Sequence, residues 1–226
     1  MKFVLLSMAL AIPLLADSPM DEHNRRIRES ATVVDEIMNA GDKSIPRDLF
    51  GKAQCVGIVP NLKKAGFIVG GQYGKGVLTC RTADGLGWSA PSTIRIEGGS
   101  IGLQIGAGET DVVFIVMNQS GVNRLMKDKF TVGADAGVMA GPVGRSADAK
   151  TDAYMKAEIL AYSRSRGAFA GVSLEGATLR PDNDDNAKIY GGPVSQQEIV
   201  HGKVKATPEA RALFEELNKW APYKHN

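Results

Sequence analysis

The sequence predicts an α+β fold, with a curled, mostly antiparallel, glycine-rich sheet or partly closed β-barrel and N-terminal, inserted and C-terminal helices. Two observations predict the sheet. From Cys55 to about Arg145, and again from Ile159 to Leu179, small residues are threaded through alternating apolar ones. In Ser100–Gly108, Ile101, Leu103, Ile105 and Ala107 share one face while Gly102, Gly106 and Gly108 share the other, and period two belongs to strands. Glycine inside a strand marks a bulge, a corner or a close backbone approach, so the strands should be strongly curled. The third observation is helical periodicity near each end of the chain.

The chain has 226 residues, enough for one large domain with a sizeable core. At 43% hydrophobic and 23% charged it has too much patterned apolar content for disorder. A net charge of +2 supplies no global field to recruit nucleic acid, so an electrostatic partner must meet a local patch. Residues 1–16, with Lys2 before an apolar run ending at Ala16, read as a secretory signal peptide. A membrane span needs roughly twenty apolar residues. The expected product is a periplasmic or secreted single domain over 17–226, with its core at about 25–222 and no transmembrane span once the leader is removed. Cys55 and Cys80 either bridge two strands, as an oxidising compartment allows, or are small buried hydrophobes. Their spacing does not decide.

In chain order, Asp21–Ala40 is predicted as an amphipathic helix, because Ile27, Ala31, Val34 and Met38 recur at helical spacing. Gly41 is its stop, and Ile45–Phe50 is a short turn or helix. Strands are expected at 55–59, 66–73, 76–81, 92–97, 100–106 and 111–117, with hairpin turns at Gly74-Lys75-Gly76 and Glu97-Gly98-Gly99. Residues 118–129 read as a short helix capped by Ser120, with Val122, Leu125 and Met126 facing inward. Strands resume at 130–138, about 158–165 and 168–179. A last helix begins at Thr207-Pro208, carries Ala210, Leu213, Phe214 and Leu217 as its stripe, and ends at Pro222.

Little in this order points to catalysis. His23, His201 and His225 have no evident nucleophile or carboxylate beside them, so a triad has no support and no enzyme activity or cofactor is expected. Gly70-Gly71-Gln72-Tyr73-Gly74-Lys75-Gly76 lacks the Ser/Thr and the helix of a phosphate loop. Asp182-Asn183-Asp184-Asp185-Asn186 opens like a calcium loop, but Ala187 and Pro193 stand where glycine and glutamate belong. It reads instead as a capped turn leading into Ala187–Tyr190. Basic groupings occur at Arg25/Arg26/Arg28, Lys63/Lys64 and Arg124/Lys127/Lys129, each interleaved with acidic or polar residues. At 6%, aromatic residues are too few for a single-strand nucleic-acid platform.

Several stretches together resemble the SYLF domain family. They are Leu160-Ala-Tyr162-Ser163-Arg164-Ser-Arg166-Gly167-Ala-Phe169-Ala170-Gly171 running on to Glu175-Gly176, Gly133-Ala-Asp135 through Gly141-Pro142-Val-Gly144-Arg145, Ala53-Gln-Cys-Val-Gly57-Ile-Val-Pro60, the Gly70–Gly76 run, Trp88-Ser-Ala-Pro91, and the acidic loop before Tyr190-Gly191. The resemblance covers roughly residues 25–222. It implies a lipid-binding module: eukaryotic relatives bind phosphoinositide membranes, yeast proteins carry the domain as an actin-binding region, and bacterial members are typically exported. Because the leader departs from the eukaryotic pattern, only the membrane-binding role is carried over, and the headgroup and actin are not. No ligand residue is transferred. Charge alone nominates Lys63, Lys64, Arg124, Lys127 and Lys129 as a surface for anionic membrane lipids, provided that both groups border one rim of the barrel. The alternatives are the helix around Arg25–Met38 as the lipid contact, or a role as an envelope protein-interaction module.

Overall fold

The computed structural model describes residues 18–67, 69–101, 106–131, 137–144, 154, 156–165, 168–171 and 176–222. The expected leader and His225 lie outside them. Helix α1 spans Pro19–Met38, two residues earlier at its start than periodicity suggests. The added turn follows from a capping box: Ser18 Oγ accepts from the Asp21 N–H at 3.1 Å and the Asp21 carboxylate reaches back to Ser18. Ile27, Val34 and Ile37 of α1 are fully buried. Helix α2, Arg47–Phe50, adds Leu49 and Phe50 to the same core.

The strands are β1 (Cys55–Phe67), β2 (Val69–Cys80), β3 (Ser92–Ile101), β4 (Gly106–Val116), β5 (Phe130–Thr131), β6 (Val138–Ala140), β7 (Ile159–Ser165), β8 (Ala168–Gly171) and β9 (Ala177–Pro181). They form one sheet in the order β5-β9-β3-β2-β1-β4-β7-β6, with β8 also on β7. Every pair is antiparallel except β6 with β7, and the sheet curls into a half-barrel, as expected. Both faces are buried. Val56, Ile58, Val77, Val113 and Ile115 pack under α1, α2 and the C-terminal helix. Leu78, Ile94, Phe114 and Ile159 pack on the opposite side with Phe130, Leu179 and helix α3, Gln119–Leu125. The remaining helices are α4 (Asn183–Tyr190), α5 (Gln196–Val200) and α6 (Ala210–Trp220).

Two expected turns are strand instead. β2 runs unbroken through Gly74-Lys75-Gly76, and β3 runs through Gly98-Gly99. Their glycines answer to close approach. A Cβ on Gly76 would lie 2.1 Å from the Ile58 carbonyl oxygen, and one on Gly74 would lie 2.9 Å from Leu62 Cδ1. The crowding arises at a bulge in β1, where pairing with β2 slips between Ile58 and Lys63 and Asn61 adopts φ 52°. Gly76→Ala should therefore destabilise by about 2–3 kcal/mol, the upper part of the range for overpacked cores. A urea midpoint equal to the parent's would contradict the close approach.

The expected 130–138 and 168–179 strands each divide, into β5 and β6 and into β8 and β9, and parts of both lie outside the described residues. Asn118, rather than Ser120, caps α3, accepting from the Gly121 N–H at 3.0 Å. Helix α6 starts at Ala210, after a turn that includes Thr207 and Pro208. Cys55 and Cys80 are directly opposed in the β1–β2 ladder and form a disulfide.

Candidate functional site

The bulge at Pro60–Asn61 organises the surface beside α1. Asn61 N–H donates to Asp111 Oδ1 at 2.9 Å, and Arg164 Nε donates to Asp111 Oδ2 at 2.7 Å. The same guanidinium pairs with Glu36 on α1. One carboxylate on β4 thus ties the bulge to β7, and through Arg164 to the helix. The extra length in β1 re-aims the chain that follows it, as bulges do, and sets Lys63 at the edge of a cleft of about 570 Å3 between α1 and the sheet. Arg25, Arg26 and Glu29 line it from the helix, Tyr73 and Lys75 from β2, and Glu109 from β4.

Arg26 is the deepest cation of this cleft, only 5% exposed. Its Nη2 donates to Glu22 at 2.8 Å, while its buried Nη1 has no acceptor among the described residues. Arg25 is exposed and lies 3.9 Å from Glu29. Lys75 is turned to the acidic loop, with Nζ 2.6 Å from Asp185 Oδ2 and 3.1 Å from Asp182 Oδ2. Burial works against the charge on Lys75, but the hydrogen bonds to Asp185 and Asp182 outweigh it and raise its pKa above the ordinary lysine value. The sequence that opens like a calcium loop is therefore a clasp. Asp182 caps α4, Asn186 Oδ1 accepts from the Thr93 N–H at 2.7 Å, and Lys75 closes the contact to β2.

Next to Arg26 stands His23, completely buried between α1, β3 and α4. Its Nδ1 lies 3.4 Å from Thr93 Oγ1, its ring meets Tyr190 edge-on, and its Nε2 has no partner among the described residues. Burial, helped by the Arg26 charge and opposed by Asp185, lowers its pKa to about 4. His201 is exposed at the C-terminal cap of α5.

Of the cations nominated by charge, Arg124 is set apart from Lys63 and Lys64. Lys63 is registered with Glu109, and the other end of the same ladder joins Cys55 to Val116, about 23 Å away at roughly 3.3 Å per residue. Helix α3 follows that far end of β4 and packs its apolar side on the opposite face of the sheet. Arg124 is already engaged there, ion-paired to Glu158, which also accepts from Ser120 Oγ at 2.6 Å. Those hydrogen bonds, Ser120 first and then Arg124, hold Glu158 below the usual glutamate pKa. Lys127 and Lys129 are exposed beyond α3. Lys63 is exposed and makes no ion pair among the described residues, whereas Lys64 is half-buried and desolvation lowers its pKa. Lys63 belongs instead with Arg25 and Arg26. The sequence offers these two groupings as alternatives, and only the bulge shows that they share a cleft. Pro60-Asn61 inside an apolar run was the available signal, since proline in a strand points to an edge or a bulge.

A sheet filled on both faces by apolar side chains has the build of a binding domain. No cluster of His, Cys, Asp or Glu able to hold a metal occurs among the described residues, and no helix there is long and apolar enough to cross a membrane. The family model described as "Ysc84: Las17-binding protein actin regulator" matches residues 97–220, more than half of the chain. The chain is 38% identical over 183 residues to LAS seventeen-binding protein 3 of Saccharomyces cerevisiae, covering 80% of this chain and 39% of that protein. It is 35% identical to SH3 domain-containing YSC84-like protein 1 of Rattus norvegicus, covering 80% and 53% respectively. Against the Xenopus laevis protein of the same description it is 34% identical over 200 residues, covering 85% and 59%. The chain belongs to the Ysc84 family, the one its motifs resemble under the SYLF name, and it spans roughly two to three fifths of these relatives' lengths.

Proposed function

We propose that this domain is an exported, non-enzymatic module that associates with anionic membrane surfaces, in the periplasm or outside the cell. The observation that carries the reading is the exposed Lys63, without an ion pair among the described residues, lining one cleft with exposed Arg25 of α1. Lysine or arginine near an anionic bilayer contributes about 1 kcal/mol each. The apolar side of α1 is spent in the core, so the helix offers charge to a membrane and not an insertable face. Export is supported by the leader-like N-terminus and by the Cys55–Cys80 disulfide, which suits an oxidising compartment. Lys127 and Lys129, exposed beyond α3, are a second basic group.

Liposome co-sedimentation across salt concentration tests the surface. Lys63→Glu with Lys64→Glu should weaken attachment to anionic vesicles by at least about 2 kcal/mol at low salt and flatten its salt dependence. Binding to uncharged vesicles should barely move. If only Lys127→Glu with Lys129→Glu weakens attachment, the contact lies beyond α3. Should none of the variants differ from the parent, the membrane reading fails. The second reading, a protein-interaction domain, is favoured by the relatives' description as Las17-binding, and attachment to no vesicle of any composition would leave it standing.

A further inference from the structure

The buried side of α1 changes character along its length. In its second half the buried residues are Ala31, Val33, Val34, Ile37 and Met38, all apolar. In its first half they are His23, Arg26, Ile27 and Ser30, so Ile27 alone supplies apolar packing there. The polar members of this half are poorly matched. His23 Nε2, Asn24 Oδ1, Arg26 Nη1 and Ser30 Oγ are buried with no hydrogen-bond partner among the described residues. Polar atoms buried without partners weaken the contact that covers them, and a stretch with few buried apolar contacts opens at lower free energy than the core. The half of α1 from Ala31 onward is an anchor. The half before it is held by one isoleucine and by the contacts of His23 with Thr93 and Tyr190.

His23 makes that contact responsive to protons. From α1 the charges near its ring are Arg26 and Glu22, which is paired to Arg26. Helix α4 contributes Asp185 and Tyr190, and β3 contributes Thr93, with Arg95 two residues along the strand. Lys75 of β2 holds Asp185 and Asp182. An imidazolium formed here would face the Arg26 charge, with only Asp185, already bound to Lys75, to offset it. Its Nε2–H would find no acceptor among the described residues. We infer that the half of α1 before Ala31 is a proton-released strap: it lifts from β3 and α4 when His23 takes up a proton, and so adds His23 and Arg26 to the cations, Arg25 and Lys63, that meet an anionic surface. The inference rests on the surface-binding reading and supplies its regulation. Release also uncovers Ile27, giving the helix an apolar residue to offer that it lacks when packed.

Amide hydrogen exchange of the folded protein from pH 7.5 to pH 5, corrected for the intrinsic pH dependence of exchange, tests the release. A few released helical turns are marginal in water, so their amides exchange once the strap lifts. Protection at Arg26–Ser30 should lie below that of β1 and β4 throughout. It should fall about 25-fold across the range, the factor set by a histidine that titrates at 6.5 when released and at about 4 when packed. In His23→Gln the fall should be less than about threefold, because that side chain takes up no proton. If His23→Gln fails to fold, the parent's profile decides. The inference is overturned if these amides are as protected as those of β1 and β4 at every pH, for they would then open only with the whole domain. It is also overturned if the parent's protection there does not fall, or falls as far in His23→Gln. Phosphatidylcholine vesicles containing phosphatidylglycerol read the consequence. The parent should attach about tenfold more tightly at pH 5 than at pH 7.5, as two added cations allow, and His23→Gln should lose most of that gain. Attachment at pH 7.5 that acid does not strengthen through His23 sinks this inference and leaves the surface reading. Attachment at neither pH sinks the surface reading, and the exchange profile then decides the release by itself.

Discussion

Replacing Cys55 and Cys80 together with alanine is expected to lower the unfolding free energy by about 3.5 kcal/mol. The disulfide joins residues separated by 25 positions, and the loop-entropy relation for a link of that length gives about 3.5 kcal/mol at room temperature. The bond joins adjacent strands at the end of the β1–β2 ladder, with Cys55 fully buried and Cys80 nearly so. Alanine leaves no stranded polar group there, so the loss measures the cross-link and a small cavity. Urea unfolding of the parent, with and without reductant, and of the double variant checks this. Reduced parent and variant should share a lowered midpoint. Equal midpoints for oxidised parent, reduced parent and variant would show that the cross-link does not stabilise the fold.

Acidification should destabilise the domain through His23, by about 3 kcal/mol between pH 6.5 and pH 4. Its pKa falls from 6.5 to about 4 on folding, with burial the main cause. The sign follows from proton counting. Below pH 6.5 the unfolded chain takes up a proton that the folded imidazole refuses, so stability is present in full above that pH. It is lost progressively until the folded group also protonates near pH 4, at about 1.4 kcal/mol for each pH unit between the two values. Arg26 and Asp185 are the charged groups that act on the ring, and Tyr190 and Thr93 are its neutral neighbours. The measurement is a series of urea midpoints from pH 7.5 to pH 4 for the parent and His23→Gln. The variant should lose the part of the slope above pH 5, where ordinary carboxylates contribute little. Parallel slopes would show that His23 is not the titrating group.

How legible these features were in the sequence depended on the range of the interaction behind them. The apolar stripe of α1 and the C-terminal helix are local patterns, and each is found where periodicity placed it, whereas of the expected 100–106 strand Ile101 ends β3, Gly106 begins β4 and 102–105 lie outside the described residues. The glycines misled in a specific way. Gly74, Gly76, Gly98 and Gly99 carry turn chemistry in isolation, and only the neighbouring strand shows that Gly74 and Gly76 are there to admit Leu62 and the Ile58 carbonyl. β1 ends at Phe67 and β2 begins at Val69, inside an apolar stretch of sequence with no turn signal of its own. At the candidate site, sequence identified cations but not their company. Arg124 and Glu158 lie 34 positions apart, and Lys63 meets Arg25 and Arg26 only because a bulge turns β1 at Pro60–Asn61 beneath α1. Long-range pairing of this kind leaves no periodic trace.

The filled half-barrel has a consequence for how such a domain changes its target. With side chains packed against both faces of the sheet, the exposed charges lie at its periphery, beside the helix and the bulge. Residues there, such as Lys63 and Glu109, are exposed and contribute no apolar packing to either core. The scaffold and the address are therefore separable inheritances. A lineage can rewrite the charges around the cleft, one surface residue at a time, while the glycine-laced interior stays as it is.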